Sequence, residues 1–492
     1  MKIKQQSISV LILLILLLVL LNYRKSYAQI NGSLFMLPDN FYAQMYNPSY
    51  MRTDNATEIS IPGFAGLTFI NQGSFKISDI ITTSTGSPVI DFDNFYSQVN
   101  PNNFIRQDFS IPLVFISKPL KKGVFSFYYK ENFSSVLKFK DDVVEFLVNG
   151  NLDPGYHSFY SNEMNYFSTG YREFAFGYAK AWNDKINVGL RAKLLFGTVY
   201  FNADNWNFGV ETAPFGDVVT LSSGGGGKLM LPFQVILTEN NSIYSIESKN
   251  AAKKYFGAYK NPGLAIDAGL TYYINDESTF SFSICDFGGI WNRYNSFEMI
   301  QNENYDFIGF DLVSAVRYPE ETGYTEPHIL VKTVKDSVSQ VYQPIVNVNR
   351  FISGLGPKTA LHYQYQHSDK LSFGITNQTV LHLRNFQNIF TLSALQTLSN
   401  FSVFENFNVH GISDITFGGG IQYESTHLQF FMATDNLIAF YHPANNRTFS
   451  ITAGICLLLN RNKESDTVKK NGFKKGKGET SKELPFYRKL QK

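Results

Sequence analysis

Eight histidines and two cysteines are the residues from which a metal centre or a covalent mechanism would have to be built, and their spacing supports neither. His157, His328, His362, His367, His382, His410, His427 and His442 do not cluster at ligand spacing. His362 and His367, five apart on one extended segment, point to opposite faces. The chain contains no phosphate loop, no HExxH and no GxSxG. We therefore expect no catalytic residues, no metal and no cofactor, and read the chain as a non-enzyme. The chemistry left over is that of charge and hydrogen bonding. Glu173, Arg191, Lys193, Asp267, His362, Gln364 and Gln378 all fall on the polar side of alternating segments. Asp267 and Asp286, near Trp291, form the most suggestive pair. Asp267 could fix a ligand or an internal segment, or simply hydrogen-bond structurally.

These residues sit on strands. From Asn261 to Trp291, Leu264, Ile266, Ala268, Leu270 and Tyr272 alternate with Ala265, Asp267, Gly269 and Thr271. After the turn Asn275-Asp276-Glu277, Phe280, Phe282 and Ile284 alternate with Ser281, Ser283 and Cys285. One apolar and one small or polar face at period two suits a strand between lipid and a hydrated interior, and equally a sandwich strand with one face in a core. The remaining segments repeat the pattern. Tyr171–Trp182 pairs with Lys185–Phe201, and a three-residue Trp182-Asn183-Asp184 loop sets Glu173 opposite Lys193. That pair either forms an internal ion pair or keeps an inner wall wet.

Glu58–Asn71 reads as the first strand, and Arg106–Lys118 and Gly123–Lys140 as a hairpin with Phe109, Ile111, Leu113 and Phe115 on its apolar side. Asp141–Val148 suits a brief helix. Between Asn205 and Gly227 the pattern blurs, with strands expected near Trp206–Ala213 and Lys228–Leu237 and a break at Gly224–Gly227. Asn292–Leu355 reads as the longest irregular region, expected on the extracellular side, with a hairpin of its own left open. Order returns with Lys358–Gln366 and Leu371–Leu381, where His362, Gln364, Gln366, Ser372, Thr376 and Gln378 face inward. It continues through Phe390–Leu398, Phe404–Ile412, Ile415–Glu424 and Thr426–Thr434 to Thr448–Leu459. Short turns alternating with long loops are the rhythm of an outer-membrane meander. The fold class is all-β, an antiparallel transmembrane barrel of 14 to 16 strands, because closure removes the exposed edges that an open sheet of that size would carry.

Composition and charge agree. Aromatic residues make up 16% of the chain, with 29 Tyr and 45 Phe, enough to furnish girdles at two membrane interfaces. Met1–Ala28 reads as a signal peptide: Lys2 and Lys4, an apolar run Ile8–Leu21, then Ser26-Tyr27-Ala28. No later apolar run reaches about 18 residues, so no helix is expected to span a bilayer. Residues 29–55 lack alternation but carry Phe35, Met36, Leu37, Phe41, Tyr42, Met45 and Tyr46, costly to leave in water. They are expected to plug or line the lumen of a barrel spanning 56–460. The net charge of +2 conceals a basic tail, 461–492, with 11 basic against 4 acidic residues. This tail is expected to be a disordered periplasmic extension. Cys285 and Cys456 both fall on the polar side of strands, and no framework spacing supports their pairing.

AIDAGLTYY (265–273), SFSICDFGGIWNRY (281–294), GLGPKTALHYQY (354–365) and FFMATDNLIAF (430–440) resemble an uncharacterised outer-membrane barrel family of Bacteroidota. MYNPSYM (45–51) resembles the Asn-Pro-small signature shared with long-chain fatty-acid transporters and type IX secretion-associated barrels. The resemblance implies a barrel of the fatty-acid-transporter build with its N-terminal segment folded into the lumen, and implies no activity. Two functions follow as expectations. One is passive transport of a small hydrophobic or amphipathic solute through a plugged lumen. The other is a scaffold tied to a secretion or gliding apparatus, with a periplasmic protein partner on the basic tail. Outer-membrane lipid is the expected surrounding, both termini are expected in the periplasm of a Gram-negative cell, and no nucleic-acid partner is expected.

Overall fold

A computed structural model describes residues 32–461 apart from 53, 85–86, 150–157, 213–218, 240–242, 248, 308–344, 383–384 and 411–413. The expected signal peptide, the basic tail beyond Arg461, His157, His328 and most of the long loop lie outside the described residues.

In chain order the strands are β1 (Thr57–Ser60), β2 (Leu67–Gly73), β3 (Ile81–Ser84), β4 (Ser87–Ile90), β5 (Asn102–Leu120), β6 (Gly123–Lys140), β7 (Ser158–Asn183) and β8 (Ile186–Thr212). There follow β9 (Val219–Met230), β10 (Gln234–Leu237), β11 (Ile243–Glu247), β12 (Pro262–Tyr273), β13 (Ser278–Asn292), β14 (Ser296–Phe307), β15 (Ile345–Val348) and β16 (Phe351–Gly354). The last are β17 (Lys358–Ser368), β18 (Leu371–His382), β19 (Asn385–Leu398), β20 (Phe401–His410), β21 (Asp414–Glu424), β22 (Leu428–Thr434) and β23 (Thr448–Leu459). Antiparallel pairing runs β5–β6–β7–β8–β12–β13–β17 and on consecutively to β23; β1 and β2 then bridge β23 back to β5. The barrel is closed. The circuit has fourteen strand positions, or 16 segments when β1/β2 and β16/β17 are counted as the pieces of two interrupted positions.

The outer wall is apolar where nothing in the chain covers it. Leu190 (69% exposed), Ile266 (58%) and Phe287 (59%) stand on the neighbouring strands β8, β12 and β13, an apolar outer face suited to acyl chains. No described helix is long and apolar enough to cross a membrane. At one end the connections are tight, such as Lys121-Lys122 and Asp369-Lys370; the opposite end carries the long ones. There β8 outruns β12 and pairs with β9, which pairs with β14, itself paired with β15.

Several local expectations need correction. Lys228–Leu237 is not one strand but the end of β9 and, after a break at Leu231–Phe233, β10 in a separate two-stranded sheet, and Asn292–Leu355 is not irregular throughout, since β14, β15 and β16 lie within it. The first strand is interrupted, not continuous over Glu58–Asn71: Pro62 supplies no N–H, Gly63 and Gly66 take φ of +86° and +137°, and Phe64 N–H turns back to the Ile61 carbonyl at 3.1 Å. Gly224–Gly227 lie inside β9 and not at a break, because β8 and β14 approach from both sides and glycine admits the closest backbone contact. Phe115 faces the lumen, fully buried, and not the lipid. A register shift between Pro112 and Val114 reverses the parity of β5 beyond it. Gln366 is exposed beside the turn, although His362, Ser372, Thr376 and Gln378 on the same hairpin are buried. The brief helix is present as Asp141–Asn149.

Candidate functional site

The lumen is occupied by the N-terminal segment. Its hydrophobic residues have no strand pattern to satisfy and bury instead against the inner wall, through a 3-10 turn at Gly32–Met36 and a helix at Phe41–Tyr46. Asn40 starts the helix by accepting from the N–H groups of Tyr42 and Ala43. Phe41 packs on Phe115 and Phe431 at ring separations of 5.5 and 5.7 Å. Burial of this kind fixes where the segment lies, and polar contacts fix its register. Asn40 donates to Gln422 (2.8 Å), the Phe41 N–H to Gln429 (3.1 Å), and the Ser49 and Tyr50 hydroxyls meet Thr271 (2.7 Å) and Ser281 (3.0 Å). The Asn47–Ser49 turn lies directly on Gly189 and Gly269 of the wall, where any β-carbon would collide with Pro48 or Asn47.

Beside this segment the wall carries a buried charge network. Lys193 Nζ contacts Glu173 (2.9 Å), Asp267 (2.9 Å) and Asp286 (2.6 Å). Arg191 donates to Asp267 (3.0 Å) and to the segment's own carbonyls, Met45 (2.9 Å) and Gln44 (2.6 Å). Lys358 pairs with Asp286 (2.8 Å), and Lys130 stands 3.5 Å from Glu173. Tyr128 donates to Glu173 at 2.6 Å. Such a network holds only because each carboxylate has more than one cationic or hydroxyl partner.

Nearer the chain's tight-turn end a second set anchors the segment's exit. Arg52 bridges Asp54 (2.6 Å) and Glu424 (2.9 Å), and Arg461 joins the same two carboxylates at 2.9 and 3.0 Å. Gln44 donates to Glu58 at 2.8 Å. Burial works to raise the Asp54 carboxyl, but the Arg52 hydrogen bond and charge, helped by the Ala56 N–H and Arg461, outweigh it and hold it at about 2. A third polar patch surrounds Asp435, just past β22, where Ser450 and Asn406 donate to its carboxylate; burial outweighs those bonds and pushes the carboxyl up to about 7.

Of the residues singled out by sequence, Glu173, Arg191, Lys193 and Asp267 meet in one cluster. The register differs from the expected one. Lys193 lies opposite Ala175, and Leu195 opposite Glu173, because the turn carries an irregularity between Ala181 and Asn183; the ion pair forms along the diagonal. Among the described residues Asp267 is linked to the N-terminal segment through Arg191, and its other oxygen accepts from the Asp286 N–H at 2.8 Å. His362 is buried against Thr376 (2.9 Å), and Gln378 is buried as well, while Gln364 is half-buried. Simple alternation puts Asp286 among the lipid-facing residues. A bulge, with Cys285 and Asp286 opposite Asp267 and Asp286 at φ +63°, turns it inward. Lys130 and Lys358, also on inner faces, were not among the expected candidates; their lysine parity was the available signal. Both cysteines are free and buried, Cys285 donating to the Tyr46 carbonyl at 3.1 Å. No metal-holding group of three or more His, Cys, Asp or Glu occurs among the described residues.

A closed antiparallel barrel with an apolar outer wall and a polar lumen filled by its own N-terminal segment defines the transmembrane β-barrel class. Within it, the chain belongs to the family of unknown function DUF5723, whose model matches residues 49–435. No curated protein matches the chain in sequence. Among solved structures it is similar to the Ralstonia pickettii toluene transporter TbuX, with 10% identity over 85% of this chain and 92% of that one and a TM-score of 0.40. A Pseudomonas aeruginosa FadL homologue gives 11% identity, 88% and 98% coverage, and 0.39. The translocator domain of the Neisseria meningitidis autotransporter NalP gives 8%, 82% and 88%, and 0.27.

Proposed function

We propose that the protein is a passive outer-membrane channel for a small hydrophobic or amphipathic solute, gated by movement of its N-terminal segment, with both chain termini on the periplasmic side. The observation that carries this reading is the manner of the segment's attachment. Among the described residues it shares no ladder with the wall; it is held by side-chain hydrogen bonds and ion pairs to eight or more wall residues, contacts that can be exchanged one by one for water. The tight connections lie at the end where Arg461 leaves the barrel, which supports a periplasmic placement of that end.

The test is a reversible tether. Ser49 and Thr271, whose hydroxyls meet at 2.7 Å, are replaced together (Ser49→Cys, Thr271→Cys), and uptake of radiolabelled toluene and octanoate is followed in proteoliposomes. Oxidation should abolish uptake and reduction should restore it. Equal uptake in both states would remove the gating role, and no uptake by the untethered protein of either solute would favour the scaffold reading.

A further inference from the structure

The chain that leads into β12 does not enter the lumen; it folds down over the outside of the wall. By the alternation of β6, β7 and β8, Glu131, Arg172 and Phe196 point to the lipid side, opposite in parity to the lumen-facing Lys130, Glu173 and Leu195. An ion pair on that side, Arg172 Nε to Glu131 at 2.7 Å, is costly against acyl chains, and a strap from Ala251 to Lys260, opened by a short helix at Ala251–Phe256, covers it. Arg172 donates to the strap carbonyls of Phe256 (2.9 Å) and Tyr255 (3.2 Å) and lies 4.8 Å from the centre of the Tyr259 ring. Tyr255 donates to Glu131 at 3.2 Å, and Tyr259 packs edge-on against Phe196 at 5.0 Å. Arg172, fully buried by these contacts, fixes the strap to the outer face.

The height of the strap follows from β12, which runs from Pro262 beside it to Tyr273 beside a tight turn. That strand climbs about 36 Å along its length, or about 28 Å of height at a tilt of about 40°. The apolar band of such a barrel is about 25 Å tall, so the strap lies where acyl chains give way to head groups, at the end with the long connections. Its outward side is built for that level. Phe256 and Tyr259 are 57% and 47% exposed, as interfacial aromatic residues are. Lys254 is paired with Glu247 at 2.8 Å, whereas Lys253, Lys260 and Arg293 are exposed and make no ion pair among the described residues. Two of these cations are held side by side. The Lys260 ammonium lies 3.7 Å over the Tyr294 ring, Arg293 Nε donates to the Lys260 carbonyl at 3.1 Å, and Asn261 accepts from the N–H groups of Arg293 and Tyr294 at 2.9 and 2.8 Å. Positive charge positioned at head-group level with no carboxylate beside it is complementary to lipid phosphate, whose oxygens suit the guanidinium fork.

We propose that the strap is a docking site for a phosphorylated glycolipid of the outer leaflet, with the lipid phosphate on Lys260 and Arg293, Lys253 adding charge from the same strap, and the acyl chains running down the apolar outer face past Leu264, Ile266 and Phe287. The inference takes from the proposed function only the orientation, tight turns in the periplasm, and does not depend on a transported solute.

The experiment titrates the full mature protein in detergent micelles with diphosphoryl lipid A, with the same lipid stripped of its phosphates, and with phosphatidylglycerol, and counts bound lipid by native mass spectrometry. Diphosphoryl lipid A should bind about tenfold or more tightly than either of the others, and the double variant Lys260→Gln, Arg293→Gln should lose about tenfold or more of that affinity. Lys121→Gln with Lys122→Gln, which removes the same charge at a tight turn, should change nothing, and heat-modifiable gel mobility confirms that every variant is folded. Equal binding of the dephosphorylated lipid, or lipid A binding that ignores Lys260 and Arg293, overturns the site. Phosphatidylglycerol bound as tightly as lipid A overturns the glycolipid, and displacement of lipid A by inorganic phosphate at equal concentration reduces the site to a bare anion site and overturns it too. Orientation is read separately with an impermeant maleimide on intact cells, which should label Ala252→Cys on the strap and spare Asp276→Cys at the tight turn. The reverse labelling overturns the orientation and the outer-leaflet assignment, whereas correct labelling without phosphate-dependent binding leaves the orientation standing and overturns the docking site alone.

Discussion

Arg191→Gln isolates the contact that couples the wall to the N-terminal segment. The guanidinium sends one hydrogen bond to the Gln44 carbonyl at 2.6 Å and another to the Met45 carbonyl at 2.9 Å, at the end of the Phe41–Tyr46 helix, where carbonyls lack intrahelical partners. It also holds Asp267 at 3.0 Å and lies over the Tyr128 ring at 5.0 Å. Hydrogen bonds from a charged donor contribute about 1.5–3 kcal/mol each, and two bonds from one cation are not additive, so the loss in seating is about 3 kcal/mol. Every 1.4 kcal/mol is tenfold in an equilibrium; the unseated population should rise about 150-fold. The Asp267 side of the change acts on the wall in both states and should largely cancel. Planar-bilayer recording of open probability reads the ratio directly, and heat-modifiable mobility shows that the barrel remains closed. Arg191→Lys, which keeps the charge beside Asp267 but loses the fork, should fall between wild type and Arg191→Gln. An unchanged open probability in a folded Arg191→Gln barrel would refute the idea that these bonds hold a gate.

Replacing Gly189 or Gly269 by Val puts side-chain atoms where Pro48 and Asn47 now lie; the barrel should fold, and limited proteolysis near Asn47 should accelerate at least tenfold, whereas Gly354→Ala, with nothing within 4 Å, should not change it. Asp435, pushed up to about 7 by burial, has a folded value above its unfolded one. Its contribution is therefore fully present below about pH 4 and lost as pH rises to about 7, at most about 4 kcal/mol. Asp435→Asn should flatten that part of the stability profile in thermal melts between pH 4 and 8, and an unaltered profile would show that the carboxyl ionises without cost.

The alternation of β12 and β13 alone suits a barrel and a sandwich equally; the class is legible from its repetition along the chain to β23, where Phe449, Ile451, Ala453, Ile455 and Leu457 keep the period, together with the rhythm of short turns and long loops and the aromatic content. The membership of Glu173, Lys193 and Asp267 in an inner wall followed from the same parity, whereas the burial expected for Phe41, Tyr42 and Met45 followed from the cost of leaving apolar side chains in water in a segment with no alternation. What parity could not supply is where it changes. The bulges at Leu113 and at Cys285-Asp286 each insert one residue, and each decides which side an important side chain takes: Phe115 inward onto Phe41, Asp286 inward onto Lys193 and Lys358. Nothing in the composition of those stretches marks the insertion, since a bulge is defined by the partner strand opposite it. The same holds for Gly224–Gly227, which read as a break until two neighbouring strands are brought against them. Local sequence therefore determined the period and the faces, a property of one chain segment against two solvents. The assembly of the charge network was decided only by the lateral pairing of β6, β7, β8, β12, β13 and β17 and by the seating of the N-terminal segment on them, which set Lys193 against Asp286, 93 positions away, and Arg191 against the Met45 carbonyl, 146 positions away.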